Sequence, residues 1–184
     1  MSRHGASAVT EGFEIPAELY EKARQVVTAN TAAGRRLVVV ESCTGGLVGA
    51  AITAVPGCSE VFEGGFITYA DETKSAFVGV SSDVIETFGA VSIATAWAMA
   101  QGALKRSRAD VAVAVTGVAG PGGGSPQKPI GTVVFARAER GGDASRIIAD
   151  RKDFGDLGRA GVRLQAALCA LELLMPDPDR PPAP

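Results

Sequence analysis

Histidine is almost missing from this chain: among 184 residues there is one, His4. It stands in an N-terminal segment without hydrophobic periodicity, so Ser-His-Asp and Cys-His catalysis are all but excluded, as are His-rich metal sites. Any nucleophile here needs a different base. Cysteine is scarce too. Cys43, Cys58 and Cys169 are odd in number and form no CxxC pair, which argues against a disulfide framework or a zinc knuckle and for a reducing compartment, the cytoplasm. Aromatic residues make up only 5% and the formal net charge is -2. Neither a base-stacking surface nor a field for a polyanion is available, so nucleic acid is not an expected partner. Long hydrophobic runs are lacking as well: no stretch reaches bilayer length and no export leader is recognisable, so no membrane partner is expected.

What is present suffices for one soluble domain. Apolar residues account for 46% and charged residues for 21%, a globular balance at a length that supports one full core. Residues 1–14 carry no pattern and are expected to be disordered, the domain is expected over 15–175, and a Pro-rich tail follows over 176–184. Pro16 opens a helical pattern with Leu19, Ala23, Val26 and Val27 on one face, ending near Gly34. Leu37 to Val40 is an all-apolar run, the mark of a strand buried on both faces. Further strands are predicted at Phe66–Tyr69, Val111–Thr116, Ile130–Ala138 and Arg146–Lys152. Helices are predicted from near Asp71, over Ser82–Phe88, from an N-cap at Ser92 to about Arg106, and over Arg159–Met175. Strands alternating with helices predict a single-domain layered α/β sandwich with a mixed, largely parallel sheet. Ligands then gather at the carboxyl ends of strands, in the loops after Val40 and Val115.

Four segments could carry chemistry. In Ser42-Cys43-Thr44-Gly45-Gly46 a hydroxyl at a strand's end is followed by small residues opening a helix, whose free N–H groups could hold an oxyanion or a phosphate. Taken alone, the same segment reads more readily as a helix cap made by Ser42 or Thr44. Cys43 is a second nucleophile candidate without a histidine to activate it. Tyr69 with Lys74 supplies the base that histidine does not, because burial favours the neutral amine of a lysine; an ordinary solvated lysine is the alternative. Thr116-Gly117 open a Gly/Pro-rich loop running to Pro129, either a ligand loop or a flexible hairpin connection. Arg159 and Arg163 begin the last helix, where a cation opposes the helix dipole unless an anion binds between them.

In their order along the chain, these segments resemble the CinA C-terminal domain family. The likeness is carried by Glu41-Ser42-Cys43-Thr44-Gly45-Gly46, Val55-Pro56-Gly57-Cys58-Ser59, Gly64-Gly65-Phe66-Ile67-Thr68-Tyr69, Lys74, Gly89-Ala90-Val91-Ser92, Thr116-Gly117-Val118-Ala119-Gly120-Pro121 and Lys128-Pro129-Ile130-Gly131-Thr132-Val133. It covers roughly residues 16 to 174. The resemblance implies deamidation of nicotinamide mononucleotide to nicotinic acid mononucleotide and ammonia, with no metal or organic cofactor. It implies Ser42 as nucleophile, Lys74 as base and Tyr69 as its orienting or relaying partner. Thr44, Gly45 and Gly46 then become candidates for holding the oxyanion, and Thr116 and Gly117 for substrate contact. Arg159 takes the phosphate side if one residue is inserted within 155–158; otherwise Leu157 falls there. Asp71 stands where the family has asparagine, and either helps to hold the lysine or disfavours a phosphorylated substrate. A homodimer or higher homo-oligomer is a family-level expectation, as is the stand-alone form of the domain. Two other readings remain: a non-catalytic nucleotide- or partner-binding domain, and an amidase for a different small amide.

Overall fold

The computed structural model describes residues 14–142 and 148–176. Most of the N-terminal segment and of the Pro-rich tail lie outside the described residues, as does the Arg146 end of the last predicted strand.

Helix α1 (Ala17–Ala32) buries Leu19, Ala23, Val26 and Val27, the predicted face. Strand β1 (Leu37–Glu41) is buried at every position, which is why it shows no two-residue alternation. Helix α2 (Leu47–Thr53) follows, then strand β2 (Phe62–Ile67). β2 begins four residues before the predicted Phe66 and ends before Tyr69. The glycines Gly64 and Gly65 suggest a turn in sequence but lie within the strand. A Cβ on Gly65 would stand 2.9 Å from Val39 Cγ2, so the missing side chain lets β2 lie close on β1. Helices α3 (Asp71–Val78), α4 (Ser82–Phe88) and α5 (Ile93–Arg106) come next. Ser92 caps α5, accepting from the Thr95 amide at 3.1 Å. Strands β3 (Val111–Gly117), β4 (Thr132–Glu139) and β5 (Ile148–Asp153) and helix α6 (Gly158–Leu173) complete the described chain.

The sheet order is β2-β1-β3-β4-β5. β1 pairs parallel with β2 and β3, whereas β4 runs antiparallel to both its neighbours. Four strands therefore point one way, and the sheet is mixed and largely parallel as predicted. The Gly/Pro-rich segment after β3 is the connection between antiparallel β3 and β4. Because β5 shares the direction of β1, β2 and β3, the start of α6 is delivered to the same edge of the sheet as their carboxyl ends.

Helices pack on both faces. Leu37, Val39 and Val113 join residues of α1, α2 and α6 in one core cluster, and Val38, Val40, Ala112 and Ala114 join α3 and α5 in the other. Burying each Val or Leu side chain contributes roughly 1.5–3 kcal/mol, so two independent cores clamp the central strands. α3 is held against α5 through Gly102, where a Cβ would fall 1.8 Å from the Val78 carbonyl oxygen. Among the described residues, no helix is long and apolar enough to cross a membrane.

Candidate active site

The carboxyl ends of β1, β2 and β3 frame a cavity of about 180 Å³. Ser42 lies at its floor, 7% exposed, immediately after β1. Tyr69, Asp71, Lys74, Thr116, Gly117 and Arg159 complete the polar part of its wall, so seven of the residues singled out in the sequence meet in one place.

Lys74 is the largest wholly buried side chain among the described residues, 1% exposed, on the first turns of α3. The solvated-surface alternative is therefore wrong for this lysine. Its Nζ donates to Asp71 Oδ1 at 3.0 Å and to the Tyr69 carbonyl at 3.3 Å. Tyr69 and Lys74 are five positions apart, which does not align them on one helix face, but the turn into α3 brings the Tyr69 backbone back over the amine. The Tyr69 hydroxyl points elsewhere, accepting from Arg159 Nη2 at 2.7 Å. Arg159 also donates from Nη1 to the Gly120 carbonyl at 2.8 Å, fastening the Gly-rich loop to α6. Thr116 Oγ1 donates to the Ala90 carbonyl at 2.9 Å. Gly117 owes its lack of a side chain to β4: a Cβ there would meet the Thr132 carbonyl oxygen at 2.7 Å.

The turn after Ser42 departs from its sequence reading. Neither Ser42 nor Thr44 caps α2. Its N-cap is Gly46, at φ 93°, a left-handed conformation that glycine adopts without strain. The capping oxygens come from Glu41, a wholly buried carboxylate that accepts from the amides of Gly46 (2.9 Å), Val48 (3.1 Å) and Gly49 (2.8 Å). The Gly45 amide donates to the Ser42 carbonyl at 3.0 Å. Thr44, Gly45 and Gly46 do not line the cavity. The amides of Gly45 and Gly46 are thus already engaged and do not form the oxyanion site predicted for them. Arg163 does not share an anion with Arg159; it donates from Nε and Nη2 to the Thr44 carbonyl at 3.2 and 2.8 Å, fixing the turn from the side of α6.

Cys43 also lines the cavity, but burial pushes its thiol up to about 12, outweighing the pull of the neighbouring amides and of Arg163. A neutral buried thiol is a poor nucleophile. Ser42 is the other candidate at the cavity floor. Glu41 escaped the sequence reading as a functional position; its signal was a charge at the end of an otherwise all-apolar buried strand. Arg163 was read as one of an anion-binding pair with Arg159, and instead holds the Thr44 carbonyl.

The profile of the CinA C-terminal domain matches residues 19–177. This chain belongs to that family. It is 46% identical over 158 residues to the nicotinamide-nucleotide amidohydrolase PncC of Escherichia coli K12, across 85% of this chain and 93% of that protein. It is 57% identical over 108 residues to a CinA-like protein of Akkermansia muciniphila, across 59% of this chain and 26% of that protein. The chain thus spans about a quarter of the longer CinA-like relatives it matches. The crystal structure of the competence/damage inducible protein CihA from Agrobacterium tumefaciens superposes with a TM-score of 0.83 at 45% identity, covering 88% of this chain and 96% of that one.

Proposed function

We propose that this chain hydrolyses the carboxamide of nicotinamide mononucleotide, giving nicotinic acid mononucleotide and ammonia, by a serine–lysine mechanism. One observation carries the reading: a buried lysine and a serine share the floor and wall of a single cavity, in a chain with no histidine at that site. The amidohydrolase relative that matches nearly its whole length points the same way. Lys74 accepts the Ser42 proton as the oxygen attacks the carboxamide carbon. The amides of Cys43 and Thr44, in the turn directly after Ser42, are the donors assigned to the developing oxyanion. Protonated Lys74 then gives its proton to the departing ammonia, and water releases the acid. Tyr69 acts through Arg159 rather than as a relay to Lys74, since its hydroxyl is bound to the guanidinium. Arg159, at the rim, is the cation that meets the phosphate. The substrate is a small nucleotide, and the cytoplasm is the compartment that fits the reaction.

Asp71 bears on the choice of substrate. Its carboxylate is bonded to Lys74, which favours the role of holding the lysine over that of rejecting phosphate. The test is ammonia release from a panel of nicotinamide mononucleotide, nicotinamide riboside and free nicotinamide. Turnover of the mononucleotide, lost by at least a hundredfold in Ser42→Ala and Lys74→Met proteins that remain folded, is expected. Preferred cleavage of the unphosphorylated amides would reassign the substrate. Full activity of folded Ser42→Ala would end the serine mechanism.

A further inference from the structure

Thr68, which follows β2 and lines no part of the cavity, is wholly buried, and its Oγ1 has no hydrogen-bond partner among the described residues. A buried hydroxyl left unpaired is unfavourable and calls for an explanation. Its position in the sheet supplies one. Glu41 pairs with Ile67 on one side and Val115 on the other. Beyond that register the Thr68 amide donates to the Glu41 carbonyl at 2.7 Å, and the Ser42 amide to the Val115 carbonyl at 2.9 Å. Thr68, Ser42 and Thr116 therefore stand side by side across the carboxyl ends of three parallel strands, roughly 4.8 Å from strand to strand.

Side-chain parity places all three hydroxyls on one face. Val40, Phe66 and Ala114 belong to the core between the sheet and α5, and Ser42, Thr68 and Thr116 come two residues after each. This is also the face on which α3 packs and carries Lys74. Thr116 is already engaged with Ala90, whereas Thr68 is not. The residue after Thr68, Tyr69, gives its carbonyl to Lys74. Thr68 thus neighbours the nucleophile in the sheet and the base along the chain.

We infer that the Thr68 hydroxyl bridges Ser42 and Lys74 in the reacting enzyme. This rests on the serine–lysine reading above and deepens it. In its amine form Lys74 Nζ has two N–H groups, which match its bonds to Asp71 and the Tyr69 carbonyl, and one lone pair. A hydroxyl is both acceptor and donor. Thr68 Oγ1 accepts from the Ser42 O–H and donates its own proton to that lone pair. As the Ser42 oxygen bonds to the carboxamide carbon, its proton passes to Thr68 and the Thr68 proton passes to Lys74. One proton leaves serine, one arrives on lysine, and threonine ends as it began. Lys74 then protonates the nitrogen as the C–N bond breaks. Thr68 supplies the partner that Tyr69, bound to Arg159, does not.

Two variants test this. Thr68→Val keeps the shape and removes the hydroxyl; Thr68→Ser keeps the hydroxyl and removes the methyl. Each is measured for thermal stability, for kcat and KM on nicotinamide mononucleotide, and for the rate at which a fluorophosphonate labels Ser42. Thr68→Val is expected to melt no lower than the natural protein, since it removes an unpaired buried group. Its kcat should fall about tenfold or more with KM little changed, and labelling should slow in parallel. Thr68→Ser should restore both rates to within about threefold. A Thr68→Val protein with kcat and labelling within about twofold of the natural protein overturns the bridge, as does a Ser42 that the probe never labels. Labelling that depends on the Thr68 hydroxyl without turnover of the mononucleotide sustains the bridge and rejects only the substrate.

Discussion

Two adjacent side chains at the cavity floor could act as nucleophile, and Cys43 gives the sharpest test of which one does. Its thiol is held at about 12 against an ordinary 9.0, first by burial and secondarily by the charge of Glu41. Three units correspond to about 4 kcal/mol between the thiol and thiolate forms. At pH 8 an ordinary thiol of this kind is about one-tenth thiolate; at a pKa of 12 the fraction is about one in ten thousand. Alkylation by iodoacetamide at pH 8, followed by peptide mass spectrometry, should therefore modify Cys43 about a thousandfold more slowly in the native protein than in denaturant. Half-buried Cys58 reports in the same digest that reagent was present. Ammonia release should survive Cys43→Ala. Native labelling of Cys43 within tenfold of the denatured rate, or loss of activity in a stably folded Cys43→Ala, would refute the assignment of Ser42.

The same shift makes stability depend on pH in a definite direction. Above about pH 9 the unfolded chain releases the Cys43 proton while the folded chain keeps it. The unfolded state then binds fewer protons, so stability falls as pH rises from about 9 towards 12, by up to about 1.4 kcal/mol per pH unit, and is unaffected by this group below pH 9. Cys169 is shifted upward too, so the difference between natural protein and Cys43→Ala, followed by urea unfolding between pH 8 and 10, isolates Cys43.

Glu41→Gln removes the charge that three α2 amides share, and should cost about 1.5–3 kcal/mol in urea unfolding together with a loss of kcat, because the turn bearing Ser42 is no longer held. Gly102→Ala places a methyl 1.8 Å from the Val78 carbonyl oxygen and should destabilise by about 1–3 kcal/mol while shifting α3, visible as a fall in kcat at unchanged far-ultraviolet circular dichroism. Asp71→Asn keeps an oxygen for Lys74 but removes a half-exposed negative charge; since that carboxylate holds the lysine rather than rejecting phosphate, KM for the mononucleotide should change by less than about fivefold, the most that one screened charge pair of about 0.2–1 kcal/mol gives.

The elements whose signal lies in their own residues were legible in sequence. α1, α4 and α5 begin and end within a residue or two of their predicted limits, because Pro16, Ser82 and Ser92 mark their starts locally. β2 was misplaced because glycine carries two meanings: as a turn residue it breaks a strand, and as a residue without Cβ it lets two strands touch, as Gly65 does with Val39. At the site, the meeting of Ser42, Lys74, Thr116 and Arg159 was foreseen from the order of motifs. Their hydrogen bonds were not. That Lys74 takes the Tyr69 carbonyl while Arg159 takes its hydroxyl depends on how α3 and α6 approach the sheet edge, which no spacing along the chain encodes.

Glu41 does not line the cavity, but it decides which helix start is open to an anion. A helix start after a nucleophile invites an anion from the substrate, yet here the chain fills that place with its own carboxylate, anchored on three amides of α2. A second anion beside it would meet both repulsion and amides already engaged, so the start of α2 offers no place for a phosphate. The free side of the cavity is the rim near α6, where Arg159 spans Tyr69 and Gly120. A nucleotide lying with its phosphate at Arg159 directs its other end inward, towards Ser42. On the proposed reading, the cation at the start of α6, unfavourable for the helix by a few tenths of a kcal/mol up to about 1, is the group that would take the phosphate, because the start of α2 is already filled by Glu41.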